Sequence, residues 1–101
     1  MSENLLNLVN TIRDRKNKDK DKSYTSSLLS GGLSKCIDKM EEEFDELKEA
    51  LNAKSNVVHE AADTIYHILV TLEAADIKFE DVLKELEDRK KQSGIEEKNN
   101  R

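Results

Sequence analysis

The sequence predicts an all-α protein, built as an antiparallel helical hairpin or bundle that is completed by dimerisation. No proline occurs in the 101 residues, and 39% of them are charged, which is typical of exposed helices. Apolar residues recur at helical spacing, and no segment shows the alternation of a strand. So short a chain buries a thin core, and with two Phe, two Tyr and no Trp it has few large side chains to fill it. We therefore expect two copies to pair.

The first helix is predicted over about residues 3–16. Leu5, Val9 and Ile12 recur there at helical spacing and should face the core.

A charged stretch over residues 17–22 has no apolar periodicity and is predicted to be a loop. Leu28 and Leu29 follow it and can anchor a short helix. Gly31 and Gly32 should end that helix, because glycine is the usual residue just past a helix terminus.

The second long helix is predicted over about residues 34–53. Met40, Phe44, Leu47 and Leu51 stand at positions i, i+4, i+7 and i+11, which form one apolar stripe. We expect this stripe to be the buried face of the helix.

The third long helix is predicted over residues 57–74, after a turn at 53–56. It is apolar over most of its circumference, which is typical of a central helix. Its expected core residues are Val58, Ala61, Ala62, Ile65, Ile68, Leu69 and Leu72.

A fourth long helix is predicted to begin near Phe79. Its inward-facing residues are expected to be Phe79, Val82, Leu83 and Leu86. We assign residues 1–90 to a single domain and residues 91–101 to a charged tail that frays.

Acidic residues on the second helix lie beside its apolar stripe. With Met40 as zero and about 100° per residue, Glu43 lies about 60° from the stripe and Glu46 about 120° away on the same side. Lys39 projects between them, and Glu42 points to the solvent side. Glu43 and Glu46 form an i, i+3 pair that can share one ion.

The third helix carries a second i, i+3 acidic pair, Glu60 and Asp63, with His67 projecting nearby. Two such pairs on facing helices would place four carboxylates around one cavity, where they repel unless a cation lies between them. Oxygen ligands of this kind suit Mg²⁺, with Mn²⁺ also possible. From the residues alone, solvated acids paired with lysines remain an alternative. A histidine such as His67 is more often a core or dimer-seam residue than a ligand.

Charge and composition exclude several classes of protein. The whole chain carries −5 and segment 13–22 carries +3, so the remainder carries −8. This balance argues against nucleic-acid binding, while the basic segment suits either an anionic ligand or a solvated loop. Cys36, the single cysteine, is expected to be buried and inert. No apolar run has membrane-spanning length, no signal peptide is evident, and we predict a cytoplasmic protein.

Several motifs together resemble one enzyme family. EEFDE at 42–46 followed by EAAD at 60–63 looks like the EExxE…ExxD signature of the MazG-like all-α nucleoside triphosphate pyrophosphohydrolases. The flanking DRK at 14–16, SYTSSLL at 23–29 and DVLKELEDRK at 81–90 follow the order and spacing of the phosphoribosyl-ATP pyrophosphatase family. The resemblance covers about residues 5–90.

The resemblance implies a reaction and a set of site residues. The reaction would be hydrolysis of phosphoribosyl-ATP to phosphoribosyl-AMP and pyrophosphate, in histidine biosynthesis, by a homodimer. The implied metal-binding acids are Glu43, Glu46, Glu60 and Asp63, and with Glu42 they are the implied catalytic residues. The implied substrate-binding residues are Arg15, Lys16, Ser23, Tyr24, Thr25 and Lys39.

Two other functions remain open at this point. A house-cleaning pyrophosphohydrolase of free nucleotides would keep the four acids but would not need the Ser-Tyr-Thr element. A non-catalytic helical dimer acting as an adaptor would explain the periodicity but not the acids on the central helix. Ser23 to Thr25 can equally be a simple helix cap.

Overall fold

The computed structural model describes residues 2–18 and 23–90. The helices in this part of the chain are α1 (Ser2–Arg15), α2 (Tyr24–Ser30), α3 (Gly32–Ala53), α4 (Val57–Ala74) and α5 (Phe79–Arg89). No strand occurs within these residues, so the all-α prediction is confirmed. The predicted charged tail at 91–101, and residues 19–22 of the predicted loop, lie outside the described residues.

Special backbone conformations set the two tight connections around α3. Gly32 has a φ of +88°, a value that favours glycine, and it allows α3 to begin directly after Gly31. Between α3 and α4, Lys54 and Asn56 adopt left-handed conformations with φ of 54° and 60°. The chain therefore reverses over three residues, and α4 returns along α3.

Threonine hydroxyls join α3 and α4 and reveal that the two helices run in opposite directions. Thr64 Oγ1 lies 3.2 Å from the carbonyl oxygen of Glu43, and Thr71 Oγ1 lies 3.2 Å from that of Cys36. Seven residues forward along α4 thus correspond to seven residues backward along α3. Both hydroxyls also lie within 2.8 Å of a carbonyl oxygen one turn earlier in α4, so these buried polar groups are satisfied.

One hydrophobic core collects residues from every described helix. Its buried members are Val9, Ile12, Leu28, Cys36, Leu69, Val70 and Phe79. The predicted inward positions of α1 are confirmed, and Cys36 is buried with its thiol 3.4 Å from the carbonyl oxygen of Leu28. Burial raises the pKa of this thiol, which keeps it in the unreactive protonated form.

The prediction that the apolar stripe of α3 is its buried face holds only in part within one chain, where Met40 and Leu47 of the stripe are half-buried. Phe44 is 41% exposed and Leu51 is 54% exposed, whereas Cys36 and Ala50 are buried. Cys36, Glu43 and Ala50 are spaced by seven residues, so the seam with α4 runs along their side, about 60° from the predicted centre. Position in the seam depends on where α4 lies, and the apolar stripe alone does not encode that.

The predicted core set of α4 also needs correction. Val58 is 85% exposed and Ile65 is 50% exposed, while Thr64, His67 and Thr71 are buried in or beside the seam. The seam is therefore partly polar, and much of the apolar surface of the first half of α4 faces outward within one chain.

The last helix follows its prediction except at its end. Phe79 is buried and Val82 and Leu83 are half-buried, but Leu86 is 52% exposed. Only the first turns of α5 contact the core, because the helix extends beyond it.

Ion pairs fasten α1 to the end of α4 and to α5. The guanidinium of Arg13 binds the carboxylate of Glu80 and lies 3.7 Å from that of Glu73. Lys16 donates to the carbonyl oxygen of Glu73 at 3.0 Å and pairs with Asp76. None of the helices in the described part of the chain combines the length and apolar character that a membrane crossing requires.

Candidate metal centre

The four predicted acids come together across the seam of α3 and α4. One carboxylate oxygen each from Glu43, Glu46 and Glu60 lies within 4.8 Å of the others. Glu60 also belongs to a second group with Asp63 and His59, whose ligand atoms likewise lie within 4.8 Å of one another. Because both groups share Glu60, the four carboxylates form one continuous cluster, which we call the acid cluster.

The opposed directions of the two helices explain this meeting. The contact between Thr64 and the carbonyl of Glu43 sets the alignment of α4 on α3. Glu46 lies almost one turn further along α3, and Glu60 lies about one turn back along α4, so the two face each other. The i, i+3 pairs predicted from the sequence therefore become neighbours through the turn at 54–56.

Two carboxylate oxygens of the acid cluster are buried without a partner among the described residues, Oε2 of Glu43 and Oε2 of Glu60. The pKa of Glu43 is raised by burial and by the neighbouring charge of Glu46. The pKa of Glu60 is raised by the same two causes. Buried anionic oxygens without donors are costly, and a divalent cation is the group that satisfies them, so this donor set fits a metal ion.

These raised pKa values predict how the metal-free protein responds to pH. The folded state holds the proton of Glu43 more tightly than the unfolded chain, whose ordinary pKa is 4.5. Stability from this group is therefore full at low pH and is lost as pH rises through the folded-state pKa. In EDTA, the Tm of Glu43→Gln minus that of the wild type should increase between about pH 5 and pH 7.5. A difference that stays constant with pH would contradict the unfavourable burial of this charge.

His59 lies beside the acid cluster although it is not among the site residues predicted from the sequence. Its Nε2 lies 3.1 Å from Oδ2 of Asp63. The available signal was its i, i+4 spacing from Asp63 and its place directly before Glu60.

His67 is buried behind the acid cluster, and its two ring nitrogens have different partners. Nδ1 lies 2.9 Å from the backbone carbonyl oxygen of Asp63, which can only accept, so Nδ1 donates. In the neutral ring Nε2 is then an acceptor, and it lies 3.4 Å from the hydroxyl of Tyr24. His67 thus connects the backbone of one acid to the first residue of α2.

Aromatic contacts hold the start of α2 against α4. The rings of Tyr24 and Tyr66 stack with centroids 6.4 Å apart, and the hydroxyls of Thr25 and Tyr66 are hydrogen bonded. Ser23 caps α2 by accepting a hydrogen bond from the backbone N–H of Ser26 at 3.0 Å. The structure therefore brings Tyr24 and Thr25 beside the acid cluster, with Ser23 in the capping role. Tyr66 was not among the predicted site residues.

Lys39 and Glu42 lie at the exposed rim of the acid cluster. Lys39 Nζ is 3.2 Å from Oε2 of Glu42, and this bond raises the pKa of Lys39. Burial raises the pKa of Tyr24, and the positive charge of Lys39 opposes that shift. The charged groups of Lys39 and Glu42 are both exposed, so they are accessible to a ligand.

Lys16 lies apart from the other predicted site residues, whereas Arg15 lies near the start of α2. Lys16 is bound to Glu73 and Asp76 at the far end of α4, about 15 Å along the helix axis from Asp63. Arg15 is exposed, and its carbonyl oxygen accepts a hydrogen bond from Ser26 Oγ, so its backbone lies near the start of α2. Within one chain, Lys16 is not brought to the acid cluster.

Known proteins of one family are similar to this chain over most of its length. The sequence profile of the family described as phosphoribosyl-ATP pyrophosphohydrolase matches residues 5–90. The phosphoribosyl-ATP pyrophosphatase of Paracoccus denitrificans is 44% identical over 96 residues, which cover 93% of this chain and 89% of the relative. The proteins of the same name from Ruegeria pomeroyi and Rhizobium etli are 45% and 39% identical, covering 93% and 96% of this chain and 91% and 92% of each relative.

Proposed function

The chain belongs to the phosphoribosyl-ATP pyrophosphohydrolase family, and from that premise we propose that its acid cluster is the place where the reaction occurs. The protein hydrolyses phosphoribosyl-ATP to phosphoribosyl-AMP and pyrophosphate, in histidine biosynthesis. The observation that carries the proposed location is the pair of buried oxygens on Glu43 and Glu60 that have no partner within residues 2–18 and 23–90. They need a cation, and a triphosphate substrate needs the same cation.

The proposed ligands of this cation are Glu43, Glu46, Glu60 and Asp63. The cation is Mg²⁺, with Mn²⁺ as an alternative, because the ligand oxygens are carboxylates on two facing helices. Bound Mg²⁺ would supply neutralisation of phosphate charge and a bound water of lowered pKa. The protein's own contribution is to hold the carboxylates fixed in the seam, so that no rearrangement is needed when substrate arrives.

Groups at the rim bind and orient the substrate. Lys39, held by Glu42, presents an ammonium to phosphate oxygens, and Glu42 acts through this contact instead of as a ligand. The hydroxyl of Tyr24 donates to His67, which leaves its lone pairs to accept from a ribose or base donor. Ser23 supports both Tyr24 and Thr25 by fixing the start of α2.

The functional unit in this proposal is a homodimer. The apolar surface, meaning Leu33, Ile37, Phe44 and Leu51 of α3 with Val58, Ala62 and Ile65 of α4, is exposed in one chain. A monomer that leaves so many large apolar side chains in water is unfavourable, and pairing of two α3–α4 hairpins into a helical bundle would cover them. We place the single domain at residues 1–90 and the protein in the cytoplasm, without nucleic-acid or membrane partners.

Pyrophosphate release is the test of this function. Wild-type protein should release pyrophosphate from phosphoribosyl-ATP when Mg²⁺ is present, and much more slowly from ATP or deoxynucleoside triphosphates. Equal rates on all these substrates would favour a house-cleaning enzyme. An absence of both turnover and cation binding would favour a non-catalytic adaptor.

Substrate choice is expected to depend on the positive charge of Arg15. Phosphoribosyl-ATP carries a ribose phosphate that ATP lacks, so Arg15→Ala should raise KM for phosphoribosyl-ATP about tenfold with little change in kcat. Lys16→Ala is the matched variant at the next residue. Because Lys16 is bound to Glu73 and Asp76, this variant should lower Tm slightly and leave KM nearly unchanged. Steady-state kinetics and thermal melting of both variants separate the two roles. An unchanged KM in Arg15→Ala would remove Arg15 from the substrate site.

A further inference from the structure

His59 begins α4 beside two of the proposed metal ligands. Its imidazole and the carboxylates of Glu60 and Asp63 each offer a ligand atom within 4.8 Å of the others. This group adjoins the group of Glu43, Glu46 and Glu60 and shares Glu60 with it. The acid cluster therefore has one end made only of carboxylates and another end that includes a nitrogen donor.

The distance between His59 Nε2 and Asp63 Oδ2, 3.1 Å, suits joint binding of one ion. Octahedral bonds of about 2.1 Å at right angles place neighbouring ligand atoms about 3 Å apart. The same distance also allows a direct ion pair, but the imidazole and the carboxylate are 64% and 39% exposed. Exposed pairs of this kind contribute little stability, so a divalent ion can readily take the place of the direct contact.

We propose that His59 is a nitrogen ligand of a cation position formed with Glu60 and Asp63, and that it makes this position prefer Mn²⁺ or a similar first-row transition ion over Mg²⁺. The inference rests on the proposed function, since it uses two of the proposed metal-binding acids. Imidazole suits transition ions better than Mg²⁺, which favours oxygen ligands. His59, Glu60 and Asp63 all lie within the first two turns of α4, so binding of an ion by His59 would need no rearrangement of α3.

The experiment measures cation binding directly. Full-length wild type, His59→Asn and His59→Asp are titrated with Mn²⁺ at about pH 8, where imidazole side chains are ordinarily neutral, and Mg²⁺ is then added as competitor. Electron spin-echo modulation of bound Mn²⁺ reports whether an imidazole nitrogen is coordinated. His59→Asp is the matched variant, because it keeps a ligand atom at this position but exchanges nitrogen for oxygen.

The wild type should show nitrogen modulation on bound Mn²⁺, and both variants should lose it. The ratio of Mn²⁺ to Mg²⁺ affinity should fall about tenfold or more in the two variants, with His59→Asp retaining Mg²⁺ binding. Mn²⁺ binding without nitrogen modulation, and with the same affinity ratio in all three proteins, would overturn the role of His59 while leaving the carboxylate site intact. Failure of wild type to bind either ion would overturn this inference and the proposed metal centre together, and pyrophosphate release from phosphoribosyl-ATP would then show whether the reaction itself survives.

Discussion

Replacing Glu43 with Gln should lower kcat for phosphoribosyl-ATP by about three orders of magnitude, or about 4 kcal/mol in the activation free energy. Glu43 lies within the seam of α3 and α4, and its Oε2 is buried without a partner among the described residues. Of the acids on α3 it is therefore the one most in need of a cation. Asp63→Asn should have an effect of similar size, because it removes a carboxylate from the opposite helix.

The Glu43→Gln protein should still fold, because the Glu43 carboxylate destabilises the folded state when no metal is bound. Burial and the charge of Glu46 both raise the pKa of Glu43, so a neutral amide relieves an unfavourable charge. In EDTA the variant should melt at or above the wild-type temperature, and Mg²⁺ should stabilise the wild type but hardly affect the variant. Thermal melting with and without Mg²⁺ measures both effects.

Glu42→Gln is the matched control for Glu43→Gln. Glu42 is the adjacent acid, it is exposed, and it pairs with Lys39 at 3.2 Å. Its loss should cost much less in kcat and should leave the stabilisation by Mg²⁺ unchanged. If Glu42→Gln proves as damaging as Glu43→Gln, Glu42 takes a direct part in the reaction and the assignment of ligands by position in the seam is wrong.

Leu51→Glu should dissociate the proposed homodimer, raising its Kd by about 100-fold or more, which corresponds to about 2.7 kcal/mol. In a single chain Leu51 is 54% exposed, so the substitution should cost the monomer little. In a dimer that covers the apolar surface the same carboxylate would be buried without a partner, and this is costly. Sedimentation over a range of protein concentrations gives the Kd directly.

Leu86→Glu provides the control for Leu51→Glu. Leu86 is 52% exposed, nearly the same fraction, but it lies on α5 outside the apolar surface. Its substitution should leave the Kd of the dimer unchanged. If both variants dissociate equally, or if neither does, the second copy does not cover the apolar surface.

The register of α3 and α4 is the feature that sequence periodicity described least well. The apolar stripe of α3 predicted its buried face, but only Met40 and Leu47 of that stripe are half-buried. The seam follows Cys36, Glu43 and Ala50 instead. A helical stripe identifies apolar positions without saying which neighbour covers them. As a result Glu43 was expected at the edge of the buried face, and it lies in the seam.

Residues that act through contacts between distant segments could not be found by spacing either. Tyr66 joins the site because α2 lies against α4 and brings Thr25 to its hydroxyl. The family resemblance implies that Lys16 contacts the substrate, yet it contacts Glu73 and Asp76, which lie 57 and 60 residues away in the chain. Neither of these long-range contacts produces a local pattern in the sequence.

Local features of the sequence alone determined the helical class, the positions of the helices and the two acidic pairs. Helix formation depends on periodicity and caps within a few residues, and an i, i+3 pair of acids lies on one helix side whatever that helix packs against. Only the tertiary structure decided that Glu60 joins both pairs in one cluster, that Oε2 of Glu43 is buried and that His59 adjoins Asp63. Those outcomes depend on how α4 is aligned and rotated on α3, and that is fixed by the left-handed residues of the turn and by the threonine contacts across the seam.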